Sequence, residues 1–343
     1  MTMELYPTSM RKVSPDGMDG GKVGIIMRTQ NRPILLSRAL ASVLHQKYTN
    51  WNLFLINDGG SIGDLEAVVD PVRSSLTNRL TVIHHGTAKG MEAASNAGLQ
   101  KAFDSQCQYI CVHDDDDAWD PDFLFETVKF LEDDPTMAAV VTEKVIIRER
   151  IEGEYVIEEG QEPGFVPPRI TFANLCEANQ FPPICLLFRS SVAKKIGMFN
   201  ASLPVLGDWD YHLRILLEGD IGVIPKKLAY YHHRRASTDA YGNTVTAGAE
   251  RHETYGGLFI NSMVRQLAQE NPGYIGILHI VLKRQADLHV KMRERIDYYE
   301  KALLDLRPII QDQNKKVTDL TQKIDALLGS QPWWKFWDKN KGN

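Results

Sequence analysis

The sequence predicts an α/β sandwich with a mainly parallel central sheet, followed by a C-terminal helical, coiled-coil extension. Short apolar runs alternate with helical patterns through residues 23–112, as they do in strands joined by crossover helices. Polar and acidic residues cluster where those runs stop, which is where a parallel sheet binds its ligands. Far downstream, residues that are apolar except for Gln313 recur in steps of four and three from Met292 to Leu327, a heptad seam whose one polar core position can fix register.

The organised chain begins at Lys22; residues 1–21 are polar and read as a flexible arm with no apolar stretch to serve as a signal sequence. Val23-Gly24-Ile25-Ile26-Met27 is a buried strand, and Asn31-Arg32-Pro33 turns into a helix carrying Leu35, Leu36, Leu40, Val43 and Leu44. Trp51-Asn52-Leu53-Phe54-Leu55-Ile56 is a second strand, stopped by Asn57-Asp58-Gly59-Gly60. Residues 80–84 give a third strand, 91–103 a helix and 109–112 a fourth strand. Residues 140–147 follow as a strand, the charged, glycine-bearing 149–165 as an exposed hairpin or loop, and 171–178 as a short helix. Pro182-Pro183-Ile184-Cys185-Leu186-Leu187-Phe188-Arg189 is a turn into a core strand.

A length of 343 residues allows one large domain or two smaller ones, with a sizeable core. A net charge of -5 argues against a nucleic-acid binder, which would carry a concentrated basic face. Cys107, Cys111, Cys176 and Cys185 have neither zinc-site pairing nor the density of a disulfide scaffold, so a reducing cytoplasm is the expected compartment. No segment has the length of an uncharged membrane span.

His113-Asp114-Asp115-Asp116-Asp117 ends the fourth strand on four adjacent carboxylates. Like charges packed that closely repel, so the run needs a cation, a cationic side chain or open water. A hard divalent metal would supply the charge and leave coordination positions for the phosphates of a substrate. Neither calcium-loop spacing nor a glycine-rich lysine loop accompanies the run, which sets calcium storage and nucleotidyl transfer aside.

Five motifs in order resemble the family 2 glycosyltransferases of the GT-A fold, over residues 23–237. They are Arg28-Thr29-Gln30-Asn31-Arg32, Ile56-Asn57-Asp58-Gly59-Gly60, the run from His113 to Trp119, Gly207-Asp208-Trp209-Asp210 with Arg214, and Tyr230-Tyr231-His232-His233. The resemblance implies a GT-A type, Rossmann-like sandwich and an inverting, metal-dependent sugar transfer. The donor would be a nucleotide-diphosphate sugar (UDP, dTDP or GDP). The acceptor would be a hydroxyl of a glycan or lipid-linked saccharide in bacterial surface-polysaccharide synthesis. It puts Arg28, Thr29, Lys89 and Arg234 on the nucleotide, and Asp58 on its base ring. Asp114 falls near the ribose or the metal and Asp115 is the intervening donor-binding position, while Asp114, Asp116 and His233 fall on Mn²⁺ or Mg²⁺. Asp208 becomes the general base. Gly207 stands where the family more often has an acidic residue, and Asn57 and Gly60 replace a commoner Asp and Ser.

Plainer readings stand beside these. Asp58 also suits a turn, Lys89 a solvated loop, Asp208 a helix cap, and Asp115 and Asp117 caps of the next segment. Asn179, Gln180 and Phe181 are candidates for acceptor contact, Trp209 for the core or the sugar pocket, Arg214 for pairing with a carboxylate, Arg235 for phosphate binding, and residues 236–249 for a lid or a flexible connector.

Residues 22–250 are therefore the expected catalytic domain, with a nucleotide-sugar half at 22–120 and an acceptor half at 121–250. Residues 251–290 form a helical connector and 291–328 an oligomerisation helix, with Pro308 expected to kink or restart the helix near Arg307. Ile310, Val317 and Ile324 alternating with Leu306, Leu320 and Leu327 favour a parallel dimer, with a trimer the alternative; packing back on the catalytic domain is the plainer use of the same residues. Residues 329–343 carry Trp333, Trp334, Phe336 and Trp337 with lysines, which suits peripheral contact at the inner face of a membrane or a docking patch for protein. A non-catalytic glycan-binding protein or scaffold assembled through the coiled coil is the alternative function.

Overall fold

The computed structural model describes residues 20–234, 241 and 249–329. It divides after Phe259 into two compact units.

In the first unit, β1 (Val23–Thr29), β2 (Trp51–Asp58), β3 (Leu80–His85) and β4 (Tyr109–Asp114) lie parallel in the order β3-β2-β1-β4. Their ladders outlast the apolar runs: Arg28 pairs with Ile56 and Asp114, Thr29 with Asn57, and Asp58 with His85. Three polar strand ends are thereby held side by side, at the point where the order turns back from β1 to β4. Helix α1 (Pro33–Leu44) buries Leu35, Leu36, Leu40 and Val43, as its spacing requires. Helices α2 (Ile62–Val69) and α3 (Arg73–Leu76) lead to β3, and α4 (Met91–Asp104) packs on β1 and β2. Gly98 permits that packing, since a Cβ there would lie 2.5 Å from Ile26 Cγ2 and 2.9 Å from Ile56 Cδ1.

Beyond β4 the sheet is mixed. The short β5 (Ala118–Trp119) is followed by α5 (Phe123–Asp133), then by a hairpin of β6 (Ala139–Glu152) and β7 (Tyr155–Gly164). Helix α6 (Phe172–Glu177) starts with a capping box between Thr171 and Asn174. Strand β8 (Leu186–Arg189) runs antiparallel to β4 and β6, and joins the two halves of the sheet. Helices α7 (Ser190–Ile196) and α8 (Gly207–Glu218) precede β9 (Ile221–His233), which is parallel to β6 and antiparallel to β5. Trp119, Phe123, Phe188 and Tyr211 fill the core here, with the Trp119 and Phe123 rings stacked 4.4 Å apart.

Helix α9 (Ala249–Glu270) carries the chain across the division between the units. The second unit is dominated by α10 (Gly273–Gly329), 57 residues and about 85 Å long. The helix does not restart near Arg307, and Pro308 lies inside it. A proline costs one intrahelical hydrogen bond and strains one turn, a local penalty that a helix of this length spans. The break falls instead at Asn271 and Pro272, where the Asn271 side chain accepts the Gly273 N–H at 2.9 Å. Met292, Ile296, Tyr299, Leu303, Leu306, Ile310, Val317, Leu320, Ile324 and Leu327 are all exposed. Among the described residues no helix is long and apolar enough to cross a membrane.

Candidate active site

The carboxyl ends of β1, β2 and β4 open into a cleft of about 320 Å³, within the usual range for a small-molecule site. Arg28, Thr29, Asp58, Asp114, Asp115 and Asp116 all line it, with Asn31, Arg32 and Tyr231. Six residues singled out in the sequence thus meet in one place.

Three guanidinium groups balance the acidic run. Arg28 Nε lies 3.2 Å from Asp114 Oδ1, and a second nitrogen of Arg28 bonds the same oxygen. Arg32 Nη1 lies 3.2 Å from Asp115 Oδ1 and 3.5 Å from Asp116 Oδ2. Arg234, buried at the end of β9, pairs with both Asp116 and Glu149. Glu149 also takes Arg38 Nη1 at 2.6 Å and His232 Nδ1 at 2.8 Å. Burial drives the Asp115 carboxyl up to about 6; Arg32 and a hydrogen bond from Thr29 oppose this, while Asp116 and Asp114 add to it. Asp117 is buried and accepts the His232 N–H at 2.8 Å, which ties β9 to the acidic turn.

Asp58 holds the opposite wall. Its carboxylate accepts the N–H groups of Lys89 and Gly90, each at 2.9 Å, and bonds His85 Nδ1 at 2.7 Å. Burial works against ionisation, yet these hydrogen bonds outweigh it and keep Asp58 below the usual carboxylate range. Gly59, at φ +78°, turns the chain where a Cβ would run into the Ala88 backbone. Lys89 therefore joins the site through its main chain; its side chain is exposed and off the cleft wall.

Asp208 lies in the first turn of α8, whose N-terminal dipole favours a carboxylate. It does not cap the helix: the cap position is Leu206, held at φ +67°. Asn179 Nδ2 donates to Asp208 Oδ2 at 2.8 Å, and the Asn179 Oδ1 lies 3.3 Å from His212 Nδ1. Of the three acceptor candidates, Asn179 thus orients Asp208, Phe181 is buried against the His212 ring, and Gln180 bonds the carbonyl of Ala178. Trp209 donates to the Leu175 carbonyl at 2.6 Å, and Arg214 pairs with Asp210 at 2.6 Å. Asp208 lines a small cavity of about 10 Å³ with Glu92, Arg28, Tyr211 and His212; Arg28 is a wall of both this cavity and the cleft.

The chemistry of the donor set bears on a metal. Mg²⁺ and Mn²⁺ take oxygen ligands, and Mg²⁺ is commonly held by one or two carboxylates plus substrate phosphates and water. Asp114 and Asp116 at the cleft wall fit that pattern, and His233 Nε2 is buried without a hydrogen-bond partner nearby on β9. Among the described residues, no three His, Cys, Asp or Glu side chains converge as a complete shell, so ligand oxygens and water would have to complete one.

Residues 1–19, Arg235, the 236–249 segment apart from Tyr241 and Ala249, and the aromatic tail from 330 lie outside the described residues. Sequence reasoning did not single out Glu92, Arg38, His85 or Glu149. Glu149 had a readable signal: it falls two residues after Ile147 on an alternating strand, hence on the buried face.

A mixed α/β sheet carrying an acidic cleft at the carboxyl ends of its strands, beside a reversal of strand order, defines an α/β fold of the ligand-binding kind. The family model for Glycosyl transferase family 2 matches residues 24–197, just over half of the chain, and the protein belongs to that family. WcaA of Escherichia coli (strain K12), named as a colanic acid biosynthesis glycosyl transferase, is 35% identical over 102 residues, or 30% of this chain and 35% of WcaA. The uncharacterized glycosyltransferase YwdF of Bacillus subtilis (strain 168) is 26% identical over 238 residues, or 67% of this chain and 80% of YwdF. The crystal structure of S. aureus TarS 1-349 in complex with UDP-GlcNAc superposes with a TM-score of 0.51 at 18% identity, covering 65% of this chain and 61% of that one. That likeness establishes the GT-A type fold. The chain spans about a third of WcaA and under two thirds of the TarS fragment.

Proposed function

We propose that the protein transfers a sugar, with inversion, from a nucleotide-diphosphate sugar to a hydroxyl of a glycan or lipid-linked saccharide in bacterial surface-polysaccharide synthesis. The observation that carries this reading is the cleft itself, which gathers Arg28, Thr29, Asp58, Asp114, Asp115 and Asp116 beside a cavity holding Asp208. The name of WcaA supports the polysaccharide setting, and the UDP-GlcNAc bound to TarS supports a nucleotide sugar of the UDP, dTDP or GDP type as donor.

In this reading the base sits against Asp58, which the Lys89 and Gly90 N–H groups and His85 keep ionised and pointed. Thr29 and Asp115 line the nucleotide side of the cleft, and Arg28 and Arg32 on its wall supply guanidinium groups for phosphate oxygens. Arg234, expected on the nucleotide, is instead buried behind the cleft on Asp116 and Glu149, where it holds the acidic turn. Asp114, Asp116 and His233 would hold Mn²⁺ or Mg²⁺, which neutralises charge on a diphosphate leaving group. Asp208 accepts the proton of the attacking hydroxyl on the face of the sugar opposite the diphosphate, and Asn179 fixes its orientation. The bond from hydroxyl oxygen to anomeric carbon forms as the carbon–phosphate oxygen bond breaks.

The exposed seam of α10 supports assembly of two such chains, and the aromatic tail supports peripheral attachment at the inner face of the membrane by its composition. The test is nucleotide release from uridine, guanosine and thymidine diphosphate sugars with Mn²⁺, Mg²⁺ or chelator. Metal-dependent release from one donor class, lost in Asp116→Ala, is the expected result. Absence of release, together with absence of donor binding by calorimetry, transfers the weight to a scaffold built on the same fold.

A further inference from the structure

Glu92 is an unusual residue in this fold. It stands in the first turn of α4, is 5% exposed, and its Oε2 is buried with no hydrogen-bond partner. A buried carboxyl oxygen left unpaired is destabilising, so a chain that keeps one forgoes stability at that position. The side chain is aimed into the small cavity that Asp208 lines. The cavity of about 10 Å³ has the room of one water or one hydroxyl group.

Gly207 makes this placement possible. A Cβ built there would fall directly on the Glu92 carboxyl group. No side chain at 207 is compatible with Glu92 where it stands, and no positive φ otherwise demands glycine at 207. The residue before Asp208 is thus absent as a side chain, and a carboxyl group from another helix, 115 positions upstream in the sequence, occupies its space.

We propose that Glu92 is an acceptor-binding residue, the second carboxyl group of the cavity that receives the attacking hydroxyl next to Asp208. This rests on the reading of Asp208 as general base. The hydroxyl gives its proton to Asp208, its oxygen bonds the anomeric carbon, and the electron pair of the broken bond leaves with the nucleotide diphosphate; Glu92 keeps its own proton throughout and contributes a hydrogen bond. The environment suits that role. Burial drives Glu92 up to about 7, Arg28 opposes this, and Asp208, Asp114 and Asp210 add to it. A carboxyl group that holds a proton up to near-neutral pH can donate a hydrogen bond where a second carboxylate would add only repulsion.

Water serves as the probe acceptor, so the natural acceptor need not be known. Acceptor-independent nucleotide release is measured on the full chain as wild type, Glu92→Ala, Glu92→Gln and the double variant Glu92→Gly with Gly207→Glu. Glu92→Ala is expected to lower kcat about tenfold with donor KM unchanged, the loss of one useful hydrogen bond. Glu92→Gln, which keeps a neutral hydrogen-bonding group, loses only about two- to threefold. The double variant returns a carboxyl group to the same cavity from the other helix and recovers most of the loss. Melting temperature supplies a readout independent of turnover: Glu92→Gln is expected to melt at or above wild type, because the unpaired carboxyl stabilises nothing. Wild-type rates in Glu92→Ala, or melting temperatures that fall in step with kcat, overturn the proposal. If Asp208→Asn abolishes release while the Glu92 variants match wild type, this inference alone falls; if Asp208→Asn releases nucleotide normally, or wild type releases none, the reading beneath it falls too.

Discussion

Replacing Glu149 by Gln tests whether the acidic cleft is held together from behind. The Glu149 side chain is 2% exposed and answers two guanidinium groups, Arg38 at 9% and Arg234 at 1%, as well as His232. The substitution keeps the shape, removes the charge and turns one of the two acceptor oxygens into an N–H donor, so Arg38 and Arg234 lose their shared anion and one acceptor position faces their own N–H groups. Breaking a buried pair by removing one partner costs about 3–5 kcal/mol, a large part of the 5–15 kcal/mol of a typical domain. The pH dependence has a definite sign. Burial opposes ionisation of Glu149, but the hydrogen bonds of His232 and Arg38 and the charge of Arg38 outweigh it, so its folded value lies below the ordinary 4.5. Its contribution is therefore present above about pH 4.5 and is lost as pH falls toward the depressed folded value. At pH 3 the gap between wild type and variant should be about 2 kcal/mol smaller than at pH 7, from 1.36 kcal/mol per pH unit. Urea unfolding followed by tryptophan fluorescence at both pH values measures it. A loss under about 1 kcal/mol at pH 7, the size of an exposed pair, or a gap that ignores pH, refutes the network as the clamp of the cleft.

Three further outcomes follow from the same geometry. Asp208→Asn keeps the hydrogen bond to Asn179 and should lower turnover by about 10²–10⁴ with donor affinity intact, as isothermal titration would verify; equal turnover removes Asp208 from the chemistry. Gly98→Ala pushes a methyl group into Ile26 and Ile56 and should cost about 1–3 kcal/mol in urea unfolding, whereas a neutral effect would mean that α4 moves off the sheet freely. Ile310→Asp with Ile324→Asp should convert an oligomer into monomers in light scattering behind size exclusion, with helicity of the first unit retained; an unchanged mass rules out α10 as the assembly seam.

The strands of the nucleotide half and the acidic run were legible in the sequence because their information is local. Apolar runs name their own strands, polar residues at their ends name the ligand edge, and four consecutive carboxylates need no partner to be noticed. The heptad seam is local in the same sense, since its spacing is a property of one helix, although the continuation through Pro308 was not. What surrounds the carboxylates belongs to the tertiary structure. Arg234 reaches Asp116 across 118 residues and Glu149 across 85, and only the pairing of β9 with β6 brings those side chains together. The charged stretch from Glu149 onward reads as an exposed hairpin because charge suggests solvent, yet Glu149 faces inward, where Arg38, Arg234 and His232 together compensate its burial. Glu92 and Gly207 are the sharper case. Each alone is an unremarked residue on a helix, and their relation is one of excluded volume, which no spacing in a linear chain encodes and only the approach of α8 to α4 creates.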